Sequence, residues 1–271
     1  MMLFKDYDNS GITVEYTKTS KGNQPKWKGG KYWFKQDMLG YEALAEVLIS
    51  RLLKKSNIPD HVIYEPAMIR YNKRTVPGCY SEDFKKTDEE LFTLERLHLA
   101  YTGEGTTVSF SRIKEIKGRI DYIAHFIEEH TGIGSPGEII TKWLEADAFF
   151  LNEDRHTNNI AFLRNEKSGE WRFCPYYDNG LALLSDTNDY PMSERISRLV
   201  SEVSAKPFSR NFDKQVEAVR SLFGRQLVLE FTGDDVKEAL EPLKEMYDSE
   251  TIERVGNLIR VRQNKYNDLM R

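Results

Sequence analysis

Apolar positions along the chain follow two regimes: short runs alternating with polar residues up to about residue 84, and helical spacings beyond it. In the first regime, residues 12–17 and the aromatic run 32–35 read as strands, with the polar, glycine-containing stretch 18–31 as a loop between them. Residues 40–55 have helical periodicity, with Leu44, Leu48 and Leu52 repeating every four residues. Residues 61–71 and 75–84 read as two more strands joined by a polar turn at Asn72 and Lys73. From Thr87 onward the spacing is mostly helical. Ser135, Pro136 and Glu138 predict a helix start with a capping box, and the helix they open sends Ile139, Ile140, Trp143 and Leu144 to a core. A small hairpin is expected from 160–164 and 171–175 around Lys167, Ser168 and Gly169. Helices dominate after Arg195, with Phe212, Val216 and Val219 on one apolar stripe. Strands first and helices after predict an α+β chain of two lobes: a small β-rich lobe at 1–84 and a larger helical lobe at 85–271, meeting near residues 79–86.

Composition narrows the function. A chain of 271 residues buries roughly three quarters of its unfolded surface, ample for a stable core. A formal charge of −4 and a pI near 5.9 argue against direct nucleic-acid binding and against attachment to an anionic membrane. The two cysteines, Cys79 and Cys174, are far apart and lack partners at metal spacing, so neither a disulfide framework nor a zinc site is expected. The N-terminus lacks the apolar core of a signal peptide, and no stretch approaches the ~20 apolar residues of a membrane helix. A cytoplasmic protein is the expectation.

Two segments carry the chemistry. In residues 152–159 a carboxylate, Asp154, stands five residues ahead of a neutral oxygen donor, Asn159. In residues 175–178 a second acid, Asp178, follows the predicted hairpin. Phosphoryl transfer from ATP needs such a set: one carboxylate to orient and deprotonate a hydroxyl, and an amide plus a carboxylate to hold magnesium. Asp154 is therefore expected as the base, and Asn159 and Asp178 as metal ligands. His156 joins Asp154 in the catalytic loop, as an imidazole bonded to backbone or to Asp178, with metal ligation and proton carriage as alternatives. Arg155 either neutralises neighbouring carboxylates or lies in solvent.

Upstream, Thr19, Ser20, Gly22, Gln24 and Lys26 have the composition of a phosphate-covering loop in which Gly22 permits close backbone approach. No Gly-Lys-Ser/Thr ends it, so it is not a Walker A loop. Lys35 closes the aromatic strand, and a buried ammonium there needs an anion. Glu42 and Glu46 on the following helix are its candidates, Glu42 slightly preferred. Residues 79–84 leave a strand where an adenine edge would dock, which makes Glu82 and Phe84 cofactor-binding candidates.

Together these residues resemble the HipA-like serine/threonine kinases, whose catalytic loop reads Asp-x-His-x-x-Asn and whose magnesium aspartate sits in a Pro-x-Tyr-Asp element. Here those are residues 154–159 and 175–178, while Gly22-Asn23-Gln24-Pro25-Lys26 is similar to the family's Gly-x-Gln-x-Lys loop and Lys35 to its nucleotide lysine. The similarity spans roughly residues 12 to 225. It implies a two-lobed protein-kinase-like fold, ATP and magnesium as cofactors, and transfer to serine or threonine of a protein. It also implies autophosphorylation in the phosphate loop, where Thr19 and Ser20 are the nearest hydroxyls, and an antitoxin-like partner. About eighteen residues precede that loop, so the chain reads as a kinase core alone, like shorter members of which some are stand-alone or translocated effectors.

Three rivals are weaker. Phosphoinositide kinases share the Asp-Arg-His-x-x-Asn order, but the acidic balance and the lack of a concentrated basic run after Asp178 speak against a lipid or small-molecule kinase. A dimetal phosphoesterase needs further histidines at ligand spacing, and His61, His98, His125 and His130 are not so placed. A non-catalytic nucleotide-binding module would not need all three cleft residues, Asp154, Asn159 and Asp178.

Overall fold

The aromatic run forms the strand it predicts. In the computed structural model, which describes residues 7–8, 25–71 and 74–271, β3 (Tyr32–Gln36) pairs antiparallel with both β2 (Lys26–Gly29) and β5 (Arg74–Glu82). β5 pairs antiparallel with β4 (Glu65–Tyr71), and β1 (Tyr7–Asp8) joins the edge of β4 in parallel, giving a five-stranded sheet ordered β1-β4-β5-β3-β2. The expected strand 12–17 lies outside the described residues. The expected loop 18–31 gives way to strand from Lys26, because Trp27 is 0% exposed and needs the alternating geometry of a paired strand.

Alternation divides this sheet. Trp27, Phe34, Ala67 and Ile69 close a small cluster on one face, with Tyr32 and Tyr80 at its rim. Lys26 pairs across with Lys35, and Lys35 with Cys79, so these three share the opposite face, where Cys79 enters the main core. Against that face packs α1 (Glu42–Leu53). It is the helix that the leucine spacing predicts. Eleven of its twelve residues are buried, all but Arg51, because the sheet covers one side and α8 (Gly233–Leu240) another.

The larger part is helical: α2 (Leu94–Thr102), α3 (Thr106–Arg112), α4 (Ile116–Thr131), α5 (Pro136–Phe150), α6 (Ile196–Glu202), α7 (Phe212–Phe223) and α9 (Ser249–Lys265). It also carries a three-stranded sheet, β6-β7-β8. The predicted hairpin is β7 (Ala161–Asn165) with β8 (Trp171–Phe173); β6 (Glu89–Thr93), in a stretch expected to be helical, pairs with β7 and sets the Phe92 ring tilted against Trp171, centroids 5.1 Å apart.

α5 packs on α4, α7 and α9 and leads directly into the catalytic loop. Pro136 sits in its first turn as expected, but Ser135 lies in the left-handed region (φ 53°) and its side chain makes no capping bond; only its carbonyl accepts, from Glu138 N at 3.1 Å. The other end is closed by buried Arg262 of α9, which donates to the carbonyls of Ala148 (2.6 Å) and Phe149 (3.1 Å). No helix among the described residues is long and apolar enough to cross a membrane.

Candidate active site

The catalytic loop is a succession of tight turns. His156 N donates to Asp154 O at 2.7 Å and Asn159 N to His156 O at 2.8 Å. Asn159 Nδ2 returns to the same Asp154 carbonyl at 2.8 Å, which draws the acid and the amide together across their spacing. Asn152 Oδ1 accepts from Asp154 N at 3.1 Å.

Beneath the loop lies Arg155. It is 0% exposed, so the solvent alternative fails, and each guanidinium nitrogen has a partner. Nε donates to both oxygens of Asp147 (3.2 and 3.1 Å), Nη1 to the carbonyls of Asn159 (3.1 Å) and Tyr177 (2.8 Å), and Nη2 to Asn179 Oδ1 (2.9 Å). Tyr177 precedes Asp178 and Asn179 follows it. One side chain therefore fastens the loop that carries Asn159 to the segment that carries Asp178. The guanidinium also stacks on the Tyr176 ring at 4.3 Å, and Tyr176 hydroxyl donates to Asp147 at 2.6 Å. Four non-glycine residues around this joint, Leu151, Asp178, Leu183 and Leu184, hold φ between 56° and 62°. Each such conformation costs of order 1–3 kcal/mol and persists only where the surroundings over-determine it.

Above the loop, four charges meet, from β2, β3, α1 and the segment after β8. The Lys35 ammonium donates to Glu46 and to Asp178 Oδ1, the latter at 2.7 Å. Lys26 lies 3.2 Å from both Asp178 oxygens. Like charges facing each other across two strands repel, and Asp178 between them offsets that. The second Glu46 oxygen accepts from Asn179 N at 2.9 Å. Burial alone would raise Asp178, but the Lys26 and Lys35 ammoniums outweigh it and hold its carboxyl well below the usual carboxylate range. Burial would likewise lower Lys35, and Asp178 and Glu46 keep it well above the ordinary lysine value. Both groups stay charged.

The preference for Glu42 is corrected: the partner of Lys35 is Glu46. α1 begins at Glu42, so its carboxylate turns back and accepts from Leu39 N (2.7 Å) and Gly40 N (3.0 Å), backbone donors of the turn before the helix, instead of reaching Lys35. Glu46, one turn on, faces the sheet. The turn before α1 is itself locked: a Cβ on Gly40 would fall 2.2 Å from Ser185 O, and Tyr41 N donates to that carbonyl at 3.2 Å.

Of the other expected residues, His156 stands beside Asp154, Nε2 to Oδ2 at 3.6 Å, with its side chain on Asp154 instead of Asp178. Its Nδ1 is buried with no hydrogen-bond partner among the described residues, and burial, partly opposed by Asp154, lowers its pKa. Phe84 is brought to the site, its ring 5.5 Å from that of Tyr177. Glu82 lines the same cavity as Phe84, with its exposed carboxylate paired to Lys31 at 2.6 Å. Thr19, Ser20, Gly22 and Gln24 lie outside the described residues. Sequence reasoning missed Asp147, Asn152, Asn179 and Lys206. Asp147 had a signal, a lone acid inside the apolar run Ala146–Phe150, which has to be paired if the run is buried.

The donor set fits magnesium: a carboxylate and an amide oxygen are the hard ligands that ion prefers, sharing it with phosphate oxygens. Such a site needs no cluster of three or more His, Cys, Asp or Glu, and none gathers among the described residues.

No protein-family model matches the sequence, and no curated protein matches it. Solved structures do. The proinflammatory kinase CtkA of Helicobacter pylori matches with a TM-score of 0.61 at 14% identity, over 98% of this chain and 96% of its own. A chain of the Shewanella oneidensis toxin–antitoxin complex of HipA, HipB and operator DNA matches with a TM-score of 0.50 at 12% identity, over 91% of this chain and 64% of that one. At such identity the likeness is one of fold. This chain has the α+β kinase-like fold of the CtkA and HipA structures, a small antiparallel sheet region joined to a larger helical part.

Proposed function

We propose that the protein is an ATP- and magnesium-dependent kinase that transfers the γ-phosphoryl group to serine or threonine of a protein. The reading is carried by one observation: Lys26, Lys35, Glu46 and Asp178 form a continuous charged contact, and Arg155 ties it to the loop of Asp154 and Asn159. In this reading residues 1–84 and 85–271 are the two lobes, with the nucleotide between them. Lys35 and Lys26 bind phosphate oxygens, and Phe84 with the backbone of 79–84 borders the adenine. Thr19, Ser20, Gly22 and Gln24 belong to the loop over the phosphates. Asn159 and Asp178 would hold magnesium, which neutralises charge on the phosphates. Asp154 orients the acceptor hydroxyl and receives its proton. The partner classes are ATP, a hydroxyl-bearing protein and an antitoxin-like protein, as HipB is named with HipA in the Shewanella complex.

The test is transfer of labelled γ-phosphate by the purified chain with magnesium, to itself and to added protein acceptors. Phosphoserine or phosphothreonine is expected, at about 1–100 per second on a good substrate. Label appearing on phosphoinositide alone would replace the protein-kinase reading with a lipid one. Full transfer by Asp178→Ala would remove the metal role given to that residue.

A further inference from the structure

The chain between α6 and α7 folds back onto the catalytic loop. There the Lys206 ammonium donates to Asp154 Oδ1 at 2.9 Å, with the lysine side chain 32% exposed and that of Asp154 only 6%. His156 Nε2 lies 3.6 Å from Oδ2, so the two carboxylate oxygens have different neighbours, a cation at one and an imidazole near the other. An isolated surface ion pair contributes little. This one is built in. Gln215 of α7 is fully buried, and its amide is spent on the backbone around the lysine: Nε2 donates to Lys206 O at 3.0 Å, and Oε1 accepts from Phe208 N at 3.0 Å and Ser209 N at 3.2 Å. Phe208 is buried against Phe110 at 5.4 Å, and its carbonyl accepts from Arg119 at 3.0 Å. A buried, fully bonded amide fixes the segment that it bonds.

We propose that Lys206 is a positioning residue for the base, held over Asp154 by Gln215. The inference rests on the reading of Asp154 given above. In the transfer, a lone pair of the acceptor oxygen forms the new bond to the γ-phosphorus. The bond from that phosphorus to the β,γ-bridging oxygen breaks, ADP leaves with the electron pair, and the acceptor proton passes to Asp154. Lys206 holds the carboxylate in one orientation, and it adds fixed positive charge next to the reacting groups, where preorganised charge lowers a barrier most.

Rates of labelled-phosphate transfer by the wild type, Lys206→Ala, Lys206→Arg and Asp154→Ala separate the possibilities when kcat and the KM for ATP are measured apart and thermal midpoints are recorded. Lys206→Ala should lose about 10²-fold in kcat, with the KM for ATP and the midpoint nearly unchanged, and Lys206→Arg should recover most of the loss. An unchanged kcat in Lys206→Ala, beside an inactive Asp154→Ala, overturns the inference and leaves the kinase reading standing. Equal losses in both lysine variants with a lowered midpoint also overturn it, because they make the lysine structural. A wild type without transfer removes the kinase reading itself, and this inference with it.

Discussion

Two groups of buried charge flank Asp178, and they are built to opposite ends. Under the 152–159 loop, Asp147 and Arg155 are both 0% exposed, and every guanidinium nitrogen and carboxylate oxygen is bonded, to the other partner, to Tyr176 and Asn152, and to three further backbone or amide oxygens. Against the sheet, Lys26, Lys35, Glu46 and Asp178 form an open set, with the side chains of Lys26 and Asp178 15% and 12% exposed and two ammoniums sharing one carboxylate. Saturation separates them. A closed set can only hold its position, since any exchange of partners leaves a buried charge bare. An open set can give its ammoniums to phosphate oxygens and its carboxylate to a metal without stranding a charge. The scaffold and the reactive part of this site use the same kinds of residue, and what they do follows from how many of their valences are already filled.

That contrast breaks most easily at the closed set. Asp147→Ala or Arg155→Met leaves an uncompensated charge in the interior, and the expected cost is roughly 3–5 kcal/mol, read as a lowered urea midpoint. A loss below about 1 kcal/mol would put this pair in the same class as a surface ion pair and erase the distinction. Asp178→Ala removes a carboxylate that is only partly buried, and its loss of stability should be clearly smaller, because Lys35 retains Glu46 and Lys26 reaches solvent. Transfer of phosphate should vanish all the same. A variant that unfolds as readily as Asp147→Ala would show that the open set is scaffold as well.

How much of this the sequence disclosed depends on the same difference. The open set lies on regular elements or in spaced motifs, so Lys35 at the end of a strand and Asp178 after a hairpin were legible, as was the spacing of Asp154 to Asn159. Glu42 and Glu46 were not separable, since choosing between them requires knowing where α1 starts, and helix starts are set by local turn bonds such as those to Leu39 and Gly40. Of the closed set only Asp147 left a signal, because its contacts join α5, the 152–159 loop and the Tyr176–Asn179 segment, and no periodicity records which loop arginine turns inward. Lys206 is further still, 52 residues from the carboxylate that it bonds. Strand β6 was lost for a related reason: it is a strand only because β7 lies beside it.

The Glu42 correction has its own measurable size. Glu42→Ala removes a side chain that caps the turn before α1, and loss of such a cap costs about 0.5–2 kcal/mol. Glu46→Gln should do the reverse in kind, a modest change in stability with a weakened KM for ATP, because Lys35 then swings to Asp178 alone. If Glu42→Ala were the variant with the weakened KM, the assignment of the two glutamates would be exchanged.

The smallest effect sits on the seam between the two sets. His61 Nε2 lies 3.1 Å from Ser50 O of α1, while the neighbouring Val62 N donates to Tyr176 O at 3.0 Å, so this segment touches the helix of the open set and the tyrosine of the closed one. Burial lowers the His61 pKa, and the Ser50 carbonyl and Asp60 oppose that only in part. The folded chain therefore prefers the neutral ring more than the unfolded chain does, whose histidines titrate near about 6.5. The stability that this preference contributes is complete above that value and is lost as pH falls through it towards the lower folded-state pKa. From about pH 7.5 to about pH 5.5 the calorimetric midpoint of the wild type should fall further than that of His61→Gln, which cannot take up the proton. Parallel curves would mean that the seam opens enough to hydrate His61, and that the two sets move more independently than their shared flank at Asp178 implies.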